Sequence, residues 1–247
     1  MRKLLLAVLL LIPFAATAEE LSIAAAADLN FALRDLASVY QRETGNTLKI
    51  SYGSSGNFFT QIQNGAPFDI FFSADMDFPR QLETAGLAEP GTLYPYATGK
   101  LVLWVLNGSK LDLSKGLNIL LDPSIRKVSI ANPSHAPYGR AAEAALRRAG
   151  LYDRIKDKLV LGENISQAAQ FVETSNADIG ILALSLATSP TMQSRGRFAP
   201  VPADLYPPLQ QAAVILASSR KKPAARQFLQ FLQRPDAKAI LRRYGFE

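Results

Sequence analysis

Four short segments place small polar residues directly ahead of stretches with helical periodicity: Ala27-Asp28, Ser54-Ser55-Gly56, Ala136-Pro137-Tyr138-Gly139 and Glu163-Asn164-Ile165-Ser166. The first turn of a helix carries unpaired N–H groups and the positive end of the helix dipole. Several such turns meeting in one crevice would hold an anion without any lysine or arginine. The same residue types also cap their own helices, so each junction taken alone has a capping reading beside its ligand reading. Gly53-Ser54-Ser55-Gly56 is the most informative, because flanking glycines let the backbone approach a ligand closely and the hydroxyls can donate.

Other chemistries fit the residues less well. Ser54 and Ser55 both sit one place off a G-x-S-x-G nucleophile elbow, and no Gly-Lys-Ser/Thr follows to make a phosphate loop. His135 is the only histidine and stands two residues before Pro137, which reads as a loop residue bonded to backbone rather than a catalytic base. With no cysteine and no second histidine, no usual transition-metal set can be assembled, and no direct metal-ion ligands are expected. Phe71-Phe72 and the strand around Trp104 read as core, and Arg140, Arg147 and Arg148 as one solvated helix face.

The elements that must position the junctions alternate short apolar runs with amphipathic stretches, the pattern of βαβ units. Leu21 to Ala26 predicts a strand, and Leu29, Leu33, Leu36 and Tyr40 then recur at helical spacing until Gly45. Strands are expected over 48–52 and 69–72, with helices carrying Phe58, Phe59 and Ile62 and starting at Asp77. Lys100 to Leu106 begins a second set: strands over 127–131, 158–161 and 178–182, helices over 138–149 and 166–174. Pro200, Pro202, Pro207 and Pro208 break regular structure, after which 211–217 reads as a strand and two helices end the chain. The expected organisation is α/β with two lobes, 19–99 plus 210–247 and 100–209, the first made discontinuous by the returning C-terminal piece.

Met1-Arg2-Lys3, the apolar run Leu4 to Phe14 and the small residues Ala16-Thr17-Ala18 form a secretory signal peptide, residues 1–18. The run is shorter than the ~20 residues a bilayer core needs. Its removal takes two basic residues from a formal charge of +6. The remaining modest positive balance, without long basic runs, excludes a nucleic-acid footprint and suits an anionic small ligand. At 48% hydrophobic and 19% charged residues the chain is globular. It has no cysteine, so an exported form uses no disulfide and lacks a lipidation site after the leader, which predicts a soluble periplasmic protein.

Three stretches carry a family resemblance: Ala24-Ala25-Ala26-Ala27-Asp28-Leu29, Ser51-Tyr52-Gly53-Ser54-Ser55-Gly56, and Gly65-Ala66-Pro67-Phe68-Asp69-Ile70-Phe71-Phe72-Ser73-Ala74-Asp75. These, with Asn132 to Gly139, Gly180-Ile181-Leu182 and Arg243-Tyr244-Gly245-Phe246, resemble the periplasmic molybdate-binding proteins of ABC transporters over essentially the whole mature chain. The resemblance implies a type II periplasmic binding-protein fold, each lobe a mostly parallel sheet flanked by helices, with a tetrahedral oxyanion held in the cleft. Carried over residue by residue, the ligand-binding positions are Asp28, Ser55, Tyr138 and Ile165. It further implies no cofactor and no enzymatic activity, molybdate or tungstate as ligand, a membrane ABC permease as partner, no nucleic acid, and a monomer that closes about strands near Gly99-Lys100 and Gln210 to Ala212.

The sequence departs from the family pattern at two places. A tyrosine that some members place near the second crossover is Ala183 here, a loss the phenol of Tyr138 can make good. Asp28 stands where many members have serine, and a carboxylate facing a dianion would oppose binding. The favoured resolution is that Asp28 turns back to cap Asn30 or Phe31; the other is that it accepts a proton carried by a partly protonated anion. Two alternatives remain: the same fold binding sulfate, phosphate, phosphonate or a small carboxylate, and a periplasmic enzyme dependent on His135.

Overall fold

The computed structural model describes residues 18–247; the signal peptide expected over residues 1–18 lies, apart from Ala18, outside them. No helix among the described residues is long and apolar enough to cross a membrane. In chain order the regular elements are β1 (Glu20–Ala26), α1 (Asn30–Thr44), β2 (Thr47–Gly53), α2 (Ser55–Gln63), β3 (Ile70–Ser73), α3 (Asp77–Thr84), β4 (Tyr94–Gly99) and β5 (Leu101–Leu106). After these come β6 (Val128–Ala131), α4 (Pro137–Arg148), α5 (Tyr152–Ile155), β7 (Leu159–Gly162), α6 (Ile165–Glu173), β8 (Ile179–Ala183), α7 (Leu184–Ala187) and α8 (Pro190–Arg195). The chain ends with β9 (Gly196–Pro200), β10 (Leu209–Ile215), α9 (Lys222–Leu232) and α10 (Pro235–Arg243).

The strands form two five-stranded sheets, ordered β2-β1-β3-β10-β4 and β7-β6-β8-β5-β9. In each, four strands point the same way and one opposes them, β10 in the first and β5 in the second. Both exceptions are strands that enter from a lobe crossing, so they run against the βαβ units beside them. Leu33, Leu36 and Tyr40 of α1 bury one face on the first sheet, and the helix stops at Gly45, whose φ of 75° closes it with an N–H bond to Gln41. Trp104, in the middle of β5, is fully buried in the second core. That core continues through Ala26, Ala27 and Ala74 of the first lobe, so the apolar interior is unbroken where the lobes meet.

Two strands were invisible to periodicity. Tyr94–Gly99 contains Pro95, and Gly196–Pro200 exposes Phe198 and ends on proline. Both are edge strands, where a missing N–H and a solvent-facing apolar side chain are tolerated. The proline-rich stretch after Pro200 holds only a single 3-10 turn, Ala203–Leu205.

Strand register sets the site. β1 and β2 pair from Glu20–Thr47 to Ala26–Gly53, so their carboxyl ends finish level and set Ala27-Asp28 beside Ser54-Ser55. β6 and β7 pair up to Ala131–Gly162, which does the same for the turn before α4 and the turn before α6. The carboxyl ends of both sheets therefore face one another across the cleft, the usual ligand position in open α/β sheets.

Candidate functional site

The four junctions meet around one small cavity, lined by Asp28, Ser55, Ala74, Tyr138 and Ile165 among others. It is small, with about 10 Å³ open to the centre of a water molecule. A larger hollow of about 660 Å³ lies beside Lys110 and Asp178, away from every one of these helix starts. No lysine, arginine or histidine lines the small cavity. What it offers instead is a set of N–H and O–H donors.

Each junction can be asked whether capping consumes its donors. Asn164 does cap: its side-chain Oδ1 accepts from Ser166 and Gln167 N–H at 3.0 Å, which leaves the N–H of Ile165 outside the cap. At α4 the residue ahead of the helix is Ala136 and the first position is Pro137, so neither offers a side-chain cap or an N–H there, and Tyr138 is the first donor. At α2 Ser54 makes no cap bond; its hydroxyl donates across the cleft to the carbonyl of His135, 2.6 Å away. Ser55 Oγ accepts the Ala74 N–H at 2.9 Å, which fixes the hydroxyl and leaves its own proton for a ligand.

Asp28 corrects the expectation of a cap. It lies inside the 3-10 turn Ala27–Leu29, and neither that turn nor α1 has a side-chain cap. A capping carboxylate needs an extended backbone ahead of the first turn, whereas Asp28 is already within one. Its side chain turns instead to β10, where Gln211 Nε2 donates to Oδ2 at 2.7 Å. The same Nε2 donates to the Tyr138 hydroxyl at 3.1 Å, and Gln211 Oε1 accepts from the Tyr96 hydroxyl at 2.7 Å. The Tyr96 hydroxyl has one proton and a second acceptor at the Ser73 carbonyl, 3.1 Å away; the Gln211 oxygen is the nearer, which turns the carboxamide nitrogen towards Asp28.

The electrostatics follow from burial. Asp28 is 1% exposed, and burial pushes its carboxyl up to about 6 despite the hydrogen bonds from Gln211 and the nearby Tyr138 hydroxyl. Oδ1 has no hydrogen-bond partner of good geometry. Tyr138 and Tyr96 are buried too, and burial, with the Asp28 charge beside them, holds both phenols well above their ordinary value and therefore protonated. Tyr138 stands at the cavity, while Ala183 is buried at the end of β8 with no polar group to offer.

The lobes touch through polar contacts around the cavity. Ser166 Oγ donates to the Ala27 carbonyl at 3.0 Å and Ser185 Oγ to the Asp28 carbonyl at 2.8 Å. Gly56 N–H reaches the His135 carbonyl at 2.9 Å, and Asn57 meets Glu163 at 2.5 Å. Arg140 pairs with Asp75 at 2.5 Å and lies over the Phe78 ring, so it bridges the lobes and is not part of a simple solvated face.

Ser54, His135 and Glu163 lie in a row, but the geometry does not activate the serine. Ser54 has one proton and gives it to a carbonyl, so His135 Nδ1, at 2.9 Å, must donate to Oγ rather than accept from it. The other ring nitrogen is 3.7 Å from Glu163. The arrangement holds the lobes together. Sequence reasoning missed Gln211 and Tyr96 as site residues; the signal for Gln211 was a carboxamide inside an otherwise apolar strand, fully buried in the structure.

Comparison with known proteins places this architecture. A model of the family described as bacterial extracellular solute-binding protein matches residues 21–247. The molybdate-binding protein of Azotobacter vinelandii is 41% identical over 96% of this chain and 93% of its own length, and that of Rhodobacter capsulatus 39% over 94% and 89%. The solved structure of the Azotobacter vinelandii periplasmic molybdate-binding protein superposes with a TM-score of 0.87 at 35% identity, covering 92% of this chain and 98% of that one. The two-lobed α/β architecture is thus the type II periplasmic binding-protein fold, and the chain belongs to the family of bacterial extracellular solute-binding proteins.

Proposed function

We propose that this protein is a periplasmic receptor that captures a tetrahedral oxyanion, molybdate and with it tungstate, between its lobes and delivers it to a membrane ABC permease. The observation that carries this reading is the convergence of four helix starts on one small cavity with no cationic side chain among the described residues that line it. Neutral donors aimed inward suit an anion that arrives without protons to give, and the small volume favours an inorganic anion over a sugar or peptide. Relatives named as molybdate-binding proteins point to the anion.

In this reading Ser55 donates its hydroxyl proton, Tyr138 and Ile165 supply main-chain N–H groups, and Asp28 closes the cavity from the first junction. The lobes are residues 19–99 with 210–247 and residues 100–209, closing about Gly99-Lys100 and the strand at Gln210 to Ala212. The leader at residues 1–18 directs export, and the receptor works as a monomer with no cofactor and no catalytic step.

The test is binding by calorimetry, with molybdate, tungstate, sulfate and phosphate as probes. Molybdate and tungstate should bind and sulfate should not; binding of sulfate or phosphate alone would replace the proposed anion. Ser55→Ala removes a donor to a charged oxygen, a loss of about 1.5–3 kcal/mol or roughly 10- to 150-fold in affinity. Unchanged affinity in that variant would remove Ser55 from the site.

A further inference from the structure

Asp28 is the one acidic group on the cavity, and its geometry is that of a donor waiting for a proton. Oδ2 is occupied by the Gln211 amide nitrogen, and the oxygen of that amide meets the Tyr96 hydroxyl. Oδ1 is buried and makes no hydrogen bond of good geometry, the Tyr138 hydroxyl and the N–H groups of Asp28 and Leu29 reaching the carboxyl only weakly, and it belongs to a side chain that lines the cavity. A buried lone oxygen is costly unless something meets it. An oxyanion cannot meet a carboxylate oxygen, since neither has a proton to share. It can meet a carboxylic acid.

We propose that Asp28 binds the oxyanion as the neutral acid, with the proton on Oδ1 donated to an oxygen of the anion, so that each capture takes one proton from solvent. This rests on the oxyanion reading of the cavity and adds to it a proton and a specificity device. The anion itself reinforces the effect, because a dianion against the carboxyl favours its neutral form. Acidic surroundings then favour loading, and alkaline surroundings favour release.

The neighbouring groups allow this assignment. Tyr138 from α4 and Tyr96 from β4 face Asp28 as neutral phenols, and Gln211 from β10 is uncharged. α6 and α7 contribute only Ser166 and Ser185, whose hydroxyls go to main-chain carbonyls of the turn. On α1, Arg34 bonds to Asn30 and Asp35 to Arg243 and Tyr244, while Lys49 of β2 is exposed. The nearest ion pair, Asp75 with Arg140, is internally compensated. The groups that favour an ionised Asp28 are neutral donors, the Gln211 amide, the Tyr138 hydroxyl and the N–H groups of Asp28 and Leu29, and burial outweighs them, raising the carboxyl to about 6.

The sign is direct. Wherever the carboxyl of the free protein is ionised, its protonated fraction falls tenfold for each pH unit, so affinity falls with it until the bound form also deprotonates. The experiment is the dissociation constant for sodium molybdate across about pH 6 to 9, with proton uptake measured by calorimetry in two buffers of different ionisation enthalpy. Wild type should weaken about tenfold per pH unit above about 7 and take up close to one proton per anion. Asp28→Asn presents an N–H donor without needing a proton, so its affinity should be flat with pH and roughly tenfold or more tighter than wild type at about pH 8.

Binding by wild type that is flat with pH and releases or takes up no proton would overturn the proposal. So would a pH slope that persists unchanged in Asp28→Asn, since another group would then be titrating. Binding of neither molybdate nor tungstate by either protein at any pH would instead overturn the oxyanion reading on which the proposal rests.

Discussion

Gly56→Ala is expected to lower oxyanion affinity by roughly 30-fold or more while leaving the unfolding midpoint of the ligand-free protein unchanged or slightly raised. A Cβ at this position would lie 2.5 Å from the His135 carbonyl oxygen and 3.0 Å from its Cα. Those atoms belong to the other lobe and are backbone, so no flexible side chain can swing aside. The lobes must part by some tenths of an ångström, which stretches the Gly56 N–H bond to His135 at 2.9 Å and the Ser54 bond to the same carbonyl at 2.6 Å. Overpacking costs about 1–3 kcal/mol and each weakened bond up to about 1, giving roughly 2–4 kcal/mol against closure. Every 1.4 kcal/mol is about tenfold in affinity.

Capture between the lobes, as proposed, requires a ligand-free form that opens, and in that form the clash vanishes. Alanine in place of glycine inside α2 favours the helix by up to about 1 kcal/mol, or about 2–4 °C in midpoint for a chain of this size. Calorimetry and thermal unfolding of one variant therefore separate two ideas. Lost affinity with an intact midpoint says that capture needs this lobe contact; a matching loss of midpoint would say that the contact exists in the free protein too, and that the lobes do not part.

Contacts between residues distant in the chain separate what could be read from sequence from what could not. Local rules sufficed for α1, because an apolar stripe and a left-handed Gly45 lie within one stretch of chain. They sufficed for the four junctions, because a helix start announces itself in its own residues. They failed at β4 and β9, whose strand character depends on a neighbour across the sheet and not on their own alternation. They failed most at Asp28. Capping was the economical local reading, but the group that takes its carboxylate is 183 residues away, on a strand that enters the first sheet only after the whole second lobe has been built. Arg140 has the same character, read as a solvated face from its helix and found bonded to Asp75 of the facing lobe. What escapes the sequence is the pairing of groups far apart in the chain, within the first lobe at Asp28 and Gln211 and across the cleft at Arg140 and Asp75.

Gly139→Ala provides the counterpart to Gly56→Ala, with the opposite pattern of effects. Its Cβ would meet the Ala131 carbonyl oxygen at 2.2 Å and the carbonyl carbons of Ala131 and Asn132 at 2.8 Å. All of these are main-chain atoms of the same lobe, held by the Ala131–Gly162 pairing, by Asn132 N–H on Gly162 at 2.7 Å and by Ala136 N–H on Asn132 at 2.9 Å. Opening the cleft relieves nothing here. The start of α4 must lift from the end of β6, at an overpacking cost of about 3 kcal/mol or more, of which helix propensity returns up to about 1. The ligand-free midpoint should fall by roughly 4–10 °C in thermal unfolding. Affinity should fall as well, because lifting α4 carries Tyr138 away from Gln211 and the cavity. A variant that lost affinity yet kept its midpoint would mean that Gly139 is needed by the ligand and not by the fold, and that the close approach of α4 to β6 forms only on capture.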